Sequence, residues 1–329
     1  MQRRHFLQAT ATALSAGLAA PFASASPLLN QHRLLLGFPP GGATDVAARW
    51  ITEGLAGKFA KTAIVENRPG AAGRLAIDAV KASPADGSVM LIAPSSTVAL
   101  YPHIYANLSY NPFKDLAPVS HVCEFVHGLA VGPMVPAEVK TLAQFMDWCK
   151  AHPKLASCAI PGEGSSPHFL VDMLARETGV KLEPIAYKGT GPAINDVVGG
   201  QIPAIFVVAE GAYLNFQKEG KIRVLATTGA ERSAFFPQVP TFQEQGVRSI
   251  VFKEWFGLFM PGQTPLEVRR RASAAVAEVL RRPEIIQRFE GFAMTASPSS
   301  PERLQQLLQR DYDFWGPVVK RTGFNPIAV

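Results

Sequence analysis

Residues 34–49 run L-L-L-G-F-P-P-G-G-A-T-D-V-A-A-R. The triplet Leu34–Leu36 reads as a short buried strand, and Gly37 to Gly42 break it. From Thr44 onward, Val46, Ala47, Ala48, Trp50 and Ile51 fall at helical spacing. A strand that turns on glycine into a helix aims backbone N–H groups and a positive dipole end at one point, which suits an anion. Gly41 and Gly42 have no Cβ to block close approach to the backbone. Asp45 lies in the first turn, either as a charge complementing the dipole or as a ligand contact. The stretch is not a nucleotide phosphate loop. It fits G-x-x-x-x-G-K-[ST] except that Ala43 stands where lysine belongs, and Pro39 and Pro40 remove two N–H donors. A smaller anion such as a carboxylate asks for fewer donors.

The first 25 residues predict an export signal. Arg3-Arg4 precede His5-Phe6-Leu7, an alanine-rich apolar run reaches Phe22, and Ala23-Ser24-Ala25 supplies a small-residue cleavage site. R-R-H-F-L resembles a twin-arginine signature, although the general route stays open. The run is too short to span a membrane, and no later segment has about 18 uninterrupted apolar residues, so a soluble mature chain is expected. Cleavage after Ala25 leaves 304 of the 329 residues, comfortable for two domains, and lowers the formal charge from +6 to +4. The excess is scattered and forms no basic face with stacking aromatics, which argues against nucleic acid. Three cysteines, Cys123, Cys149 and Cys158, do not make a disulfide framework; buried free thiols are expected.

The opening unit repeats. Ala63–Glu66 predicts a second strand, and N-R-P-G-A-A-G-R (67–74) is another glycine turn, opening a helix with Leu75, Ala76, Ala79 and Val80 at helical spacing. Val89–Ala93 predicts a third strand, ending at Pro94-Ser95-Ser96-Thr97. Three strands separated by helices imply a parallel sheet whose ligands gather at the carboxyl ends of the strands.

F-P-P-G-G-A-T-D (38–45), E-N-R-P-G-A-A-G (66–73), P-A-D-G-S (84–88), D-L-A-P-V-S (115–120) and G-E-G-S-S-P-H (162–168) form a series. Y-K-G-T-G-P-A (187–193), G-G-Q (199–201), V-P-T-F-Q-E-Q-G (239–246) and W-F-G-L-F-M-P-G-Q-T-P (255–265) continue it. In this order and spacing the chain resembles the Bug-type, TctC-like solute-binding proteins, extracytoplasmic receptors of tripartite tricarboxylate transporters. The resemblance implies a two-domain periplasmic-binding-protein fold, type II-like and α/β. Each domain would be a mostly parallel sheet flanked by helices, with the ligand in the cleft between. Residues 26–124 and 253–329 would form domain 1 and 125–252 domain 2. Departures occur at Ala72, Arg74 and Ala76, where the family commonly has glycine, asparagine and glycine.

In the second half, Ala156–Ile160 predicts a strand, 161–167 a glycine-serine loop and His168–Glu177 a helix, with Ser165 and Ser166 able to cap it or to meet an anion. Further strands are expected at Ile185–Tyr187, Ile202–Ala209 and Ile222–Thr227, and a surface excursion at 231–245. Thr264-Pro265-Leu266-Glu267 predicts a capping box, Pro283 a helix stop, and the stripe from Leu304 to Val319 a last helix packed on domain 1. His121, Cys123 and His127 do not make a metal site, because in an extended stretch the two histidines stand ~20 Å apart. Ser166 and His168 diverge at a helix start without a G-x-S-x-G elbow, which argues against a hydrolase.

The expected ligand-binding residues are Phe38, Pro40, Gly41, Gly42, Ala43, Thr44 and Asp45 in the first turn, Arg74 in the second, and Ser95, Ser96 and Thr97 in the third. The other domain adds Gly162, Gly164, Ser165, Ser166 and His168, and, by the resemblance, Tyr187 and Gly189. The expected function is a periplasmic receptor for a small organic acid, monomeric, without cofactor or metal, serving the membrane components of a tripartite tricarboxylate transporter. The alternatives are an exported hydrolase-like enzyme using Ser166, His168 or Asp45, and a ligand-binding sensor.

Overall fold

A computed structural model describes residues 28–209 and 211–328; the expected export signal lies outside them. β1 (Leu29–Leu36) ends at the glycine turn, and α1 (Ala43–Leu55) follows with Gly42 as its N-cap. β2 (Ala60–Asn67), α2 (Arg74–Lys81) and β3 (Val89–Pro94) repeat the unit. Both β2 and β3 pair with β1 in parallel, since each return runs through a helix. A π-turn (Ser96–Leu100) and α3 (Tyr101–Ile104) lead to β4 (Leu116–Phe125).

One residue later, β5 (His127–Val131) already belongs to a second sheet. There follow α4 (Leu142–Ala151), β6 (Ser157–Ile160), α5 (Ser166–Thr178), β7 (Glu183–Ala186), α6 (Thr190–Val198), β8 (Ala204–Val208), α7 (Gly211–Lys218) and β9 (Arg223–Thr227). β10 (Glu254–Pro261) returns to the first sheet, and α8 (Leu266–Leu280), α9 (Pro283–Glu290), β11 (Thr295–Ala296) and α10 (Pro301–Thr322) complete it. The sheet orders are β11-β4-β10-β3-β1-β2 and β7-β6-β8-β5-β9. Both sheets are mixed. Strands joined by a helix pair in parallel, whereas β10 runs antiparallel to β3 and β4, and β5 antiparallel to β8 and β9. Crossing between lobes replaces the crossover helix that parallel pairing requires.

Alternation along β1 places helices on both faces. Leu34 and Leu36 join a cluster with Ala47, Ile51 and Val279, while Leu35 points oppositely, into a cluster with Ile77 and Val80. The stripe on α10 is buried at Leu304, Leu308, Trp315 and Val318, but it serves both lobes rather than the first alone. The Trp315 ring lies 6.1 Å from that of Phe169 in α5 and 5.0 Å from that of Phe252 at the return crossing.

Several local expectations change. Thr264 does not cap α8, whose N-cap is Pro265; the capping box forms instead at Thr141 and Gln144. Pro283 opens α9 as its first residue rather than only ending α8, its missing N–H costing nothing there. Residues 231–245 are not purely surface, because Val239 and Phe242 are buried and Thr241 bridges to Thr227 in β9. All three cysteines are buried free thiols, and burial pushes the Cys149 thiol up to about 12.

Candidate functional site

A cavity of about 610 Å³ lies between the lobes. Of the residues the sequence points to, Phe38, Pro40, Gly42, Ala43, Thr44 and Ser96 line it from one side, and Gly162, Ser165, Ser166 and Gly189 from the other. The starts of α1 and α5 therefore face one space. At α1 the first helical bond is Val46 N–H to Gly42 O, so the N–H groups of Ala43, Thr44 and Asp45 precede the ladder. Gly42 has extended backbone (φ −80°), and a Cβ there would meet nothing within 4 Å. Packing does not demand this glycine, and open space lies beyond it. At α5, the Ser166 hydroxyl is buried without a hydrogen-bond partner among the described residues. An unpaired hydroxyl this deep costs stability unless something in the cavity meets it.

The remaining expected residues do not line the cavity. Asp45 is held internally. Its carboxylate accepts from Arg49 at 2.9 and 3.0 Å, from Asn67 at 2.9 Å and from the Gly41 N–H at 3.0 Å. Burial raises its pKa, but these bonds outweigh that and hold it below the usual carboxylate value. Asn67 also donates to Phe38 O at 3.0 Å, so the acid clasps the first turn to the end of β2. Gly41 is needed for its positive φ of 93°. Thr97 donates to Pro94 O at 2.8 Å, and the Ser95 hydroxyl is fully buried. Gly164 takes a positive φ of 71°, a conformation that L side chains rarely adopt. His168 Nδ1 accepts from Gly164 N–H at 3.1 Å. Tyr187 donates to Asp196 at 2.9 Å. Arg74 folds back: its Nε donates to Ala71 O at 2.8 Å, and its guanidinium lies 4.2 Å from the centre of the Tyr105 ring. It is 9% exposed and has no carboxylate partner among the described residues.

Other cavity residues escaped the sequence reading. Tyr101, Tyr105, Phe125 and Phe256 form aromatic walls, and His127 and Glu254 meet where the two crossings adjoin. Glu254 stands opposite Phe125 in the β4–β10 ladder, and its Oε2 lies 3.1 Å from His127 Nε2, poorly aligned for a hydrogen bond. Burial pushes the Glu254 pKa up, but His127 and Ser96 outweigh this and leave it below the ordinary value. Ala72 also lines the cavity, with φ 54° and ψ 37°, a left-handed conformation that glycine would take more readily. Aromatic residues at element ends carry no signal that separates a cavity wall from core. The Ala72 departure from the family pattern was the one available clue.

Two α/β lobes with an apolar-walled cavity between them, and helix starts aimed into it from both sides, define a solute-binding receptor. The model of the tripartite tricarboxylate transporter family receptors matches residues 47–324, and the chain belongs to that family. Protein BugT of Bordetella pertussis is 30% identical over 310 residues, 94% of this chain and 94% of that protein. Among solved structures, R. palustris Rpa4515 with adipate has a TM-score of 0.81 at 26% identity, covering 90% of this chain and 98% of that one. MatC from Rhodopseudomonas palustris with bound malate has a TM-score of 0.75 at 28% identity, covering 88% and 99%.

Proposed function

We propose that this protein is a periplasmic receptor that captures a small carboxylate between its lobes and delivers it to the membrane components of a tripartite tricarboxylate transporter. One observation carries the site assignment: the starts of α1 and α5 face a single cavity, and the buried Ser166 hydroxyl at one of them has no partner among the described residues. Backbone N–H groups and that hydroxyl hold an anion without any lysine or arginine at the wall. Arg74, behind Tyr105, adds positive charge without contact. The exported chain starts near Ser26 and acts as a monomer, with residues 26–124 and 253–329 moving against 125–252 when ligand binds. The malate and adipate bound by the relatives support a ligand of that size class.

Thermal melts against a panel of small mono- and dicarboxylates test this. A true ligand at a hundredfold over its dissociation constant stabilises the folded state by about 2.7 kcal/mol. At least one acid should raise the melting temperature and be recovered unchanged after incubation. A flat panel, with no acid retained in native mass spectra of the purified protein, refutes the assignment; turnover of the acid restores the enzyme alternative.

A further inference from the structure

The two crossings between the lobes are short. β4 ends at Phe125 and β5 opens at His127, so Val126 alone joins them. On the return, the Phe252 N–H still donates to Thr228 O beside β9 at 2.7 Å, and Glu254 already pairs with Phe125 in the first sheet, so Lys253 alone lies between. His127 and Glu254 are thus the first strand residues on either side of the hinge. Their side chains meet across it, Nε2 to Oε2 at 3.1 Å, 0% and 7% exposed. Each is fixed to its own lobe. The His127 N–H donates to Thr228 Oγ1 at 3.0 Å, and its ring packs on Phe252 and on Phe206 of β8. Glu254 Oε1 accepts the Ser96 N–H at 3.4 Å, from the turn that ends β3. A contact whose halves belong to different lobes changes whenever the lobes turn.

We propose that His127 and Glu254 are positioning residues that clamp the hinge at the lobe angle that binds ligand, without touching the ligand themselves. The acid is answered inside the protein: against burial, which pushes its pKa up, the imidazole and the Ser96 N–H hold it ionised. A buried charge parted from its partner is strongly destabilised, because no water replaces the lost contact. Lobe angles that separate the pair are therefore disfavoured, and the population that remains is the one whose cavity is assembled. Every acid the cavity takes gains by the same factor, whatever its own contacts. The Lys253–Glu124 pair at the same crossing is 44% and 33% exposed, and water on both partners leaves it little hold on the angle. This rests on the closing-lobe receptor reading above.

Calorimetry at pH 7, with malate, adipate and the other acids of the panel as probes, compares wild type with Glu254→Gln, His127→Gln, the double variant and Lys253→Gln. Each hinge single variant should weaken every binding acid by a similar factor, on the order of tenfold. The double variant should be no weaker than the worse single, since either change already opens the clamp. Lys253→Gln should stay within about twofold of wild type. A merely structural role would lower stability in urea and leave the affinity of the folded protein intact, and a ligand contact would give losses that differ from acid to acid. Either result, or additive losses in the double variant, overturns the clamp and leaves the receptor standing. If no acid binds the wild type, the receptor reading falls and the clamp with it. Where the variants do not fold, wild-type crystals grown with a bound acid decide: the His127–Glu254 contact should persist with no ligand atom in hydrogen-bond distance of either residue, and a ligand bonded to either overturns the proposal.

Discussion

The two helix starts that face the cavity are finished in opposite ways. At α1 the side-chain chemistry is closed: Asp45 is saturated by Arg49, Asn67 and Gly41, and what is left for a ligand is backbone next to a residue without a Cβ. At α5 part of the backbone is closed: Pro167 has no N–H, and the His168 N–H donates to Ser165 O at 3.0 Å. What remains is the Ser166 residue, whose N–H and hydroxyl have no hydrogen-bond partner among the described residues. One lobe thus offers shape and dipole, the other a buried hydroxyl beside one backbone N–H. A charged residue in a cavity-lining loop need not face the cavity; at Asp45 the charge builds the turn that does.

The largest expected effect comes from filling the shape side. At Gly42 an added Cβ meets nothing within 4 Å and the backbone is permitted, so Gly42→Val should fold, losing about 1 kcal/mol or less at the N-cap. Its side chain enters the space proposed for the carboxylate, and affinity measured by calorimetry should fall on the order of 100-fold or more, the loss of two charge-assisted bonds. Ser166→Ala removes one donor and leaves the α1 side untouched, so a loss nearer tenfold is expected. Equal losses for both variants would break the distinction between the lobes.

How far the site was legible follows the same division. Glycine turns at strand ends are local patterns, and Phe38, Pro40, Gly42, Ala43 and Thr44, with Gly162, Ser165 and Ser166, could be placed at the cavity from the sequence. The partners of Asp45, His168 and Tyr187 could not, because a pattern shows that a polar group exists and not what satisfies it. Asn67, 22 positions from Asp45, and Gly164, four before His168, were both part of quoted motifs without their bonds being implied. Glu254 and His127 are brought together only by the two lobe crossings, 127 positions apart in the chain, and no local pattern announces such a pair. Mixed pairing in both sheets was hidden for the same reason: β10 reads as a strand, but its direction follows from where the chain has been.

Smaller effects sharpen the comparison. The second glycine turn bears strain on the same side of the cavity as Gly42, and Ala72→Gly should raise stability by about 1 kcal/mol by relieving the left-handed backbone. Denaturation with urea measures it; no gain would mean that the turn is already relaxed. The smallest expected effect concerns pH. Burial holds the His168 pKa below the ordinary histidine value of about 6.5, so the unfolded chain takes up the proton first. Its contribution is complete above pH 6.5 and declines as pH falls through the lowered value, breaking the bond from Gly164 N–H. Asp45, with a pKa below 3.8, keeps its contribution until far more acid conditions. Amide exchange, corrected for its intrinsic pH dependence, should therefore show Gly164 losing protection between pH 7 and pH 5 while Gly41 does not. Parallel loss at both would contradict the separate finishing of the two helix starts.

A crystal structure with the tightest-binding acid of the panel tests most directly where the carboxylate sits. Held as described, one carboxylate places its oxygens within hydrogen-bond distance of Ser166 Oγ and of a backbone N–H at Ala43 or Thr44. An acid lodged instead in the groove behind Trp255, among Arg303 and Arg310, or within the cavity but away from both helix starts, would contradict the assignment.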